Sequence, residues 1–238
     1  MADINIRKAI SYGIDRHKIT EEVYLGHATV TDVPVHPNSY MYNEDVQVIG
    51  YDLFKAREAL QKTSLLKSDT GEFDEEKKIT LQLLVNEDNP QRVRTAEIVS
   101  NQLADIGIQV EIMKTEWEEY ERRLAEKRYD LVIGGWKFSI VPDLRFALHS
   151  NYLNSTNFIG YSNPEMDRLL DEAAITKTKN ERTQKFKLIQ EKFVNDLPYL
   201  SLFYKNGAVI VKNRIKGDVL PNYFNIYNNI EKWHVLEK

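Results

Sequence analysis

An α/β fold, a mainly parallel or mixed sheet flanked by helices, is predicted by two features of this sequence. Residues 78–133 alternate strand, helix, strand, helix, strand, a pattern that favours right-handed crossovers and parallel pairing. Helix-starting Asn-Pro pairs at 89–90 and 163–164 and a helix-ending Gly107 then punctuate the periodic segments.

The elements are justified in chain order. Asp3 can cap a helix with Ile6, Ala9, Ile10 and Ile14 on one face, which Ile19 and Val23 would extend. Residues 24–51 are irregular. A structureless stretch of that length in a compact domain is functional or packs over something. Asp52 caps a second helix through Leu53, Ala56 and Leu60, and 63–78 is polar and reads as a surface loop. Residues 78–85 alternate and then turn wholly apolar, as a buried strand does. Asn89-Pro90 opens a helix with Val93, Ala96 and Leu103 inward. Ile108, Val110 and Ile112 form the next strand, and residues 115–118 have capping-box spacing. Tyr120 and Leu124 share a face of the helix that follows, and 129–133 is a third strand. Beyond a long loop, 134–162, helices start at Asn163-Pro164 and Asn180, the latter stopped by Pro198. Residues 199–204 and 208–211 read as strands of a hairpin turning at Asn206-Gly207, and 232–236 as a short strand.

Composition narrows function. The 238 residues include 32 basic and 36 acidic side chains with both signs interspersed, so no basic stripe suits nucleic acid. No apolar run reaches the ~20 residues a membrane span needs. With no cysteine there is no disulfide and no thiolate chemistry. Phosphate-loop, nucleophile-elbow, zincin and dinucleotide signatures are absent. No catalytic residue, cofactor or metal is expected. His27 and His36 share the early loop, but no third ligand has a telling spacing. Glu116, Glu118 and Glu119 fall in the first turn of a helix, where negative charge complements the dipole.

Binding is the better prospect. Trp136, Phe138, Phe146, Tyr152, Phe158 and Tyr161 cluster in the 134–161 loop, which leaves the third strand at Gly134-Gly135. In open α/β sheets ligands bind beyond the carboxyl ends of strands. The alternative is a loop whose aromatics pack down on the core.

Five blocks in order then resemble one family. Residues 7–16 (RKAISYGIDR) resemble the R-x-A-x-x-x-A/G-I-D-R signature of family 5 extracellular solute-binding proteins, the oligopeptide-, dipeptide- and nickel-binding components of ABC importers. Residues 51–60 (YDLFKAREAL) and 104–110 (ADIGIQV) resemble its yDpekAkelL helix and iGI turn. Tyr129-Asp130-Leu131 with Gly135-Trp136, and 157–170 (NFIGYSNPEMDRLL), are similar to its "yDl…gW" and "N-x-x-gYsNpevDrLL" blocks. The resemblance implies the C-terminal lobe of a type II periplasmic-binding-protein-like fold. Residues 1–213 would be the ligand-binding lobe, and 214–238 a tail returning to an N-terminal lobe that lies outside this chain. The start, Met1-Ala2-Asp3-Ile4-Asn5, lacks the basic and apolar regions of a signal peptide, and the resemblance implies that the missing part would carry the export signal and lipoprotein anchor.

The resemblance further implies an extracytoplasmic, non-enzymatic monomer that closes by a hinge around a small peptide or other small solute and delivers it to membrane permease subunits. The site residues it suggests are Trp136, Phe138, Ser139, Asn157 and Tyr161; for Asn157 and Tyr161, bracing of the loop is the competing role. Peptide binders of the family place an Asp a few residues after the Trp, where it pairs with the α-amino group. Here Ser139 stands near that position and Asp143 comes later, so amino-terminus capture by this lobe is not expected. A sugar or metal-chelate binder, a sensory domain of the same fold and a hydrolase on a similar α/β scaffold stay open as alternatives.

Overall fold

The computed structural model describes residues 3–236 except 69, 71, 73, 75, 76, 223 and 224. Parts of the loop expected at 63–78, including Gly71, therefore lie outside the described residues, as do Met1 and Ala2.

Three strands form the central sheet: β2 (Ile79–Asn86), β3 (Ile108–Thr115) and β4 (Leu131–Val132), numbered after β1 (Ala28–Val30). Their order is β3-β2-β4 and both pairings are parallel, with Ile79 opposite Ile108 and Leu83 opposite Leu131. This is the α/β arrangement expected. All three carboxyl ends share one edge, and α-helices make the crossovers.

Local chemistry starts most helices. α1 (Ile4–Gly13) is capped by Asp3, whose carboxylate accepts from the Asn5 amide. α3 (Leu53–Lys62) is capped by Asp52, α4 (Pro90–Ala104) by Asn89 and α7 (Pro164–Ala174) by Asn163. Gly107 takes the left-handed conformation, φ +89°, between α4 and β3, as its position predicted. Ile6, Ala9 and Ile10 of α1, Ala96 and Leu103 of α4, and Ile79, Leu83 and Ile108 of the sheet bury together. A second core joins Met166, Leu169 and Leu170 of α7 to Phe186, Ile189 and Phe193 of α8 (Lys179–Asp196). Each of the larger of these side chains, the Ile, Leu, Met and Phe, contributes about 1.5–3 kcal/mol through burial.

Four expectations are corrected. The first helix does not continue: Ile14 is extended, and Asp15 caps a separate α2 (Arg16–Tyr24) by accepting from the Lys18 amide. No capping box forms at 115–118, because Thr115 is the last ladder residue of β3, opposite Asn86. Glu116 then caps α5 (Trp117–Glu126) without a side-chain bond. The box forms instead at α8, between Thr178 and Glu181. The stretch 24–51 is not wholly irregular, since β1 pairs antiparallel with β5 (Phe203–Lys205).

That pairing also removes the fourth expectation, the hairpin at Asn206-Gly207. The Asn206 amide donates to the His27 carbonyl and its side chain accepts from the Thr29 hydroxyl, so it extends the ladder and does not turn back. Residues 208–211 carry no strand. Near the end, β6 (Ile215–Lys216) pairs with β7 (His234–Val235), within the strand expected at 232–236.

Candidate functional site

The site grows from the shared carboxyl edge of the sheet. β4 leaves that edge through Gly134 and Gly135. A Cβ on Gly134 would stand 3.3 Å from the Tyr120 hydroxyl, which itself donates to the Ile133 carbonyl at 3.0 Å. Lacking that carbon, the chain passes close over Tyr120 and emerges as a strap, residues 134–143, followed by α6 (Arg145–Leu148).

Trp136 stands on this strap with 39% of its surface exposed, on the crest side of the sheet. Its ring meets Phe146 at 5.5 Å and Tyr199 at 5.3 Å, both near edge to face. Phe138 is half-buried and tilts against Phe146 at 6.1 Å and Tyr204 at 6.5 Å. The outcome is an aromatic face that is supported from below and open above. Ser139 is exposed, with its hydroxyl donating to the Val141 carbonyl. Asp143 is held by Arg145 at 2.9 Å through Nε and 2.7 Å through the terminal nitrogen, and that bonding keeps its carboxyl below the usual range.

Asn157 and Tyr161 lie apart from this face. Asn157 has no exposed surface. Its amide nitrogen donates to the carbonyls of His149 and Tyr161 at 3.2 and 2.7 Å, and its oxygen accepts from the Tyr161 amide at 3.2 Å. The carboxamide spends its capacity on closing the turn, which corrects the expectation of solute contact at this residue. Tyr161 is half-buried and donates its hydroxyl to Asp196 at the end of α8; burial and then that carboxylate push its phenol well up. Further bonds pin the same part of the loop. The Tyr129 hydroxyl donates to the Phe158 carbonyl at 2.8 Å and Lys127 to the Leu153 carbonyl at 3.0 Å. The loop is thus braced at its back and exposed along its strap.

Sequence reasoning passed over Tyr199, Tyr204 and Arg92. Tyr204 reaches the strap through the β1–β5 pairing, and Tyr199 by standing on Phe193 of α8 just past its end. Arg92, in the first turn of α4, is half-buried and donates to the Asn86 side-chain oxygen at 2.7 Å. Its guanidinium lies 3.6 Å from where a Gly135 Cβ would stand. Its one local signal was its place on the helix that follows the crest of β2. Glu119, by contrast, pairs with Arg122 and Arg123 on the outer surface of α5, as a solvated helix face would.

Two concavities lie elsewhere. One of about 470 Å³ is lined by residues including Ile210, Ile215, Ile226, Tyr227, Trp233 and Val235. The other, about 300 Å³, lies between Tyr24, His27, Gln91 and Lys205. Neither is lined by the strap. Among the described residues no group of three or more His, Asp or Glu could hold a metal ion, and no helix is long and apolar enough to cross a membrane.

Against known proteins, the profile described as bacterial extracellular solute-binding proteins, family 5 middle, matches residues 1–159. The chain belongs to this family. Family 5 relatives include the oligopeptide-binding protein AppA of Bacillus subtilis, 28% identical over 97% of this chain and 44% of its own length. The heme-binding protein A of Haemophilus influenzae is 29% identical over 91% of this chain and 39% of its own. The chain thus spans less than half the length of these curated relatives, which are binding proteins. The solved structure of Bacillus subtilis AppA with a nonapeptide superposes with a TM-score of 0.77 at 26% identity, covering 98% of this chain and 47% of that one. NikZ from Campylobacter jejuni, solved with Ni(L-His), shares the fold with a TM-score of 0.75 at 20% identity, over 97% of this chain and 48% of its own.

Proposed function

We propose that this chain is the lobe of an ABC-importer solute-binding protein that forms one wall of the ligand cleft, and that it takes an oligopeptide outside the cytoplasm by hinge closure against a second lobe. The observation that carries this reading is Trp136: a large aromatic, more than one-third exposed, held by Phe146 and Tyr199 just past the carboxyl end of a parallel sheet. A partly exposed, rigidly backed aromatic is the type of group that dominates binding energy once a partner surface covers it. Phe138 and Ser139 continue the wall on either side of the strap, with Tyr161 behind it as a brace.

In this reading residues 1–213 form the lobe and 214–238 pack against the second one. The exposed apolar side chains Leu220, Ile226, Tyr227 and Val235 of that tail support the assignment, because large exposed apolar groups in numbers are normally covered. A lone wall binds weakly, since half of the enclosing contacts are absent. The permease partners, the export signal and the membrane anchor belong to the same proposal.

A non-peptide solute is the second reading. Asp143 is neutralised by Arg145, so the strap offers no free carboxylate to a peptide amine. Calorimetry of the longest natural protein that carries this chain, against pools of oligopeptides, sugars and metal chelates, separates the two. Heat from the peptide pool alone supports the first reading; heat from the sugar or chelate pool alone replaces it with the second.

A further inference from the structure

Asn206-Gly207 is the one Asn-Gly pair in the sequence, and the fold does not use it as a turn. Both residues are exposed and follow directly on the last residue of β5. Such a pair has a chemistry of its own, since the glycine amide can attack the asparagine side chain.

The nucleophile is free to act. The Gly207 amide donates to no protein group among the described residues, and a Cβ built on Gly207 would meet nothing within 4 Å. Neither a hydrogen bond nor a side chain screens that nitrogen, and glycine leaves the backbone mobile enough to close a small ring. Asn38 and Asn154, by contrast, are each followed by a serine, whose side chain stands where Gly207 has none.

The electrophile is held and polarised. The Asn206 Oδ1 accepts from the Thr29 hydroxyl at 2.9 Å, while the Asn206 amide donates to the His27 carbonyl at 3.1 Å. A donor on Oδ1 draws electron density from Cγ and stabilises the negative charge that grows on the oxygen as the carbon is attacked. Attack by the next amide in the chain also carries the advantage of an intramolecular step.

We propose that Asn206 is a site of spontaneous modification, converted in the folded protein to aspartate and isoaspartate through a cyclic imide that Gly207 closes and Thr29 promotes. The Gly207 nitrogen loses its proton to solvent and bonds to Cγ. The Cγ–Nδ2 bond breaks, and the nitrogen departs as ammonia after taking a proton from water. Water then opens the imide at either carbonyl; nothing is oxidised or reduced. The aspartate product sets a carboxylate on the concavity that Asn206 lines with His27, Gln91 and Lys205. The isoaspartate product adds a methylene to the backbone, so the bonds to His27 and Thr29 no longer fit together. The end of the β1–β5 ladder therefore changes as the molecule ages, whether or not the strap binds solute.

The test incubates the longest natural protein that carries this chain at neutral and at mildly alkaline pH. Peptide mass mapping reads the conversion, and isoaspartyl methyltransferase labelling identifies the isoaspartate. The peptide spanning 206 and 207 should convert faster than those spanning Asn38 and Asn154, and faster at the higher pH, because the attacking nitrogen must lose a proton. Gly207→Ala, in exposed coil, should all but abolish the conversion. Thr29→Val keeps a β-branched residue in the strand and should slow it about 3–10-fold, the equivalent of one net hydrogen bond; Thr29→Ser keeps the donor and should match the parent. Aged protein should show faster hydrogen exchange at 27–30 and 203–206 than fresh protein.

An Asn206 that stays intact, or that converts no faster than Asn38 and Asn154, overturns the proposal. So does a rate unchanged in Gly207→Ala or insensitive to pH. A parent-like rate in Thr29→Val overturns the part assigned to Thr29; should that variant fail to fold, a slowed rate in Thr29→Ser does the same.

Discussion

The rings of Trp136 and Tyr199 meet at 65°, 5.3 Å between centroids, and Tyr199 in turn stands on Phe193 at 4.8 Å. Phe193 is fully buried in α8, so the exposed Trp136 ring is positioned by a column of rings rooted in the second core. The Tyr199 hydroxyl is buried with no hydrogen-bond partner, and burial pushes its phenol well above the ordinary value.

Tyr199→Phe keeps the ring column and removes the unsatisfied hydroxyl. The change should be neutral or stabilising by up to about 1 kcal/mol, a rise of roughly 2–4 °C in Tm for a chain of this size. Thermal melts check it. A loss of more than about 1 kcal/mol would mean that the hydroxyl has a partner the ring geometry does not reveal.

Asn157→Ala should behave as a structural lesion. It strips partners from the His149 and Tyr161 carbonyls and the Tyr161 amide inside the loop. The cost should be about 2–4 kcal/mol in urea unfolding, with faster hydrogen exchange across 149–161. Weakened solute binding without faster exchange would return Asn157 to the contact surface.

Asp3 gives the chain an acid-sensitive element. Burial raises its carboxyl, but hydrogen bonds from the Thr63 hydroxyl, the Ser64 and Asn5 amides and the Ser64 hydroxyl outweigh that and lower it from 3.8 to about 2. A depressed folded-state pKa gives stability that is complete above the unfolded value and is lost as pH falls towards about 2. Asp3→Asn should therefore cost about 1 kcal/mol at pH 6, allowing for solvent screening, with the gap from the parent closing between pH 4 and 2. Melts across that range check the sign; a gap that does not change with pH contradicts it.

What could be read ahead of the structure follows the range of each interaction. Asp52, Asn89 and Asn163 cap helices through amides two or three residues away, so their role is written locally. Thr115 carries the same local signal, but pairing with Asn86 claims it for the ladder first. Asn206-Gly207 is likewise overridden by strand β1, about 180 residues earlier in the chain. Trp136 was legible because its position relative to a strand end is itself a sequence property. Tyr199 and Arg92 were not, since only the folded chain brings them beneath the strap. Asn157 and Tyr161 came from a resemblance that marks the turn without saying whether its residues face solute or interior, and the hydrogen bonds answer for Asn157.

The central claim is that the strap residue Trp136 grips solute without holding the fold together. The direct measurement is calorimetric titration of an oligopeptide that the parent binds into Trp136→Ala, in the longest natural protein that carries this chain, alongside a thermal melt. Binding about 10–100-fold weaker with Tm within a few degrees of the parent is the expected result. Equal affinity, or a collapse of Tm that accounts for the loss, contradicts it.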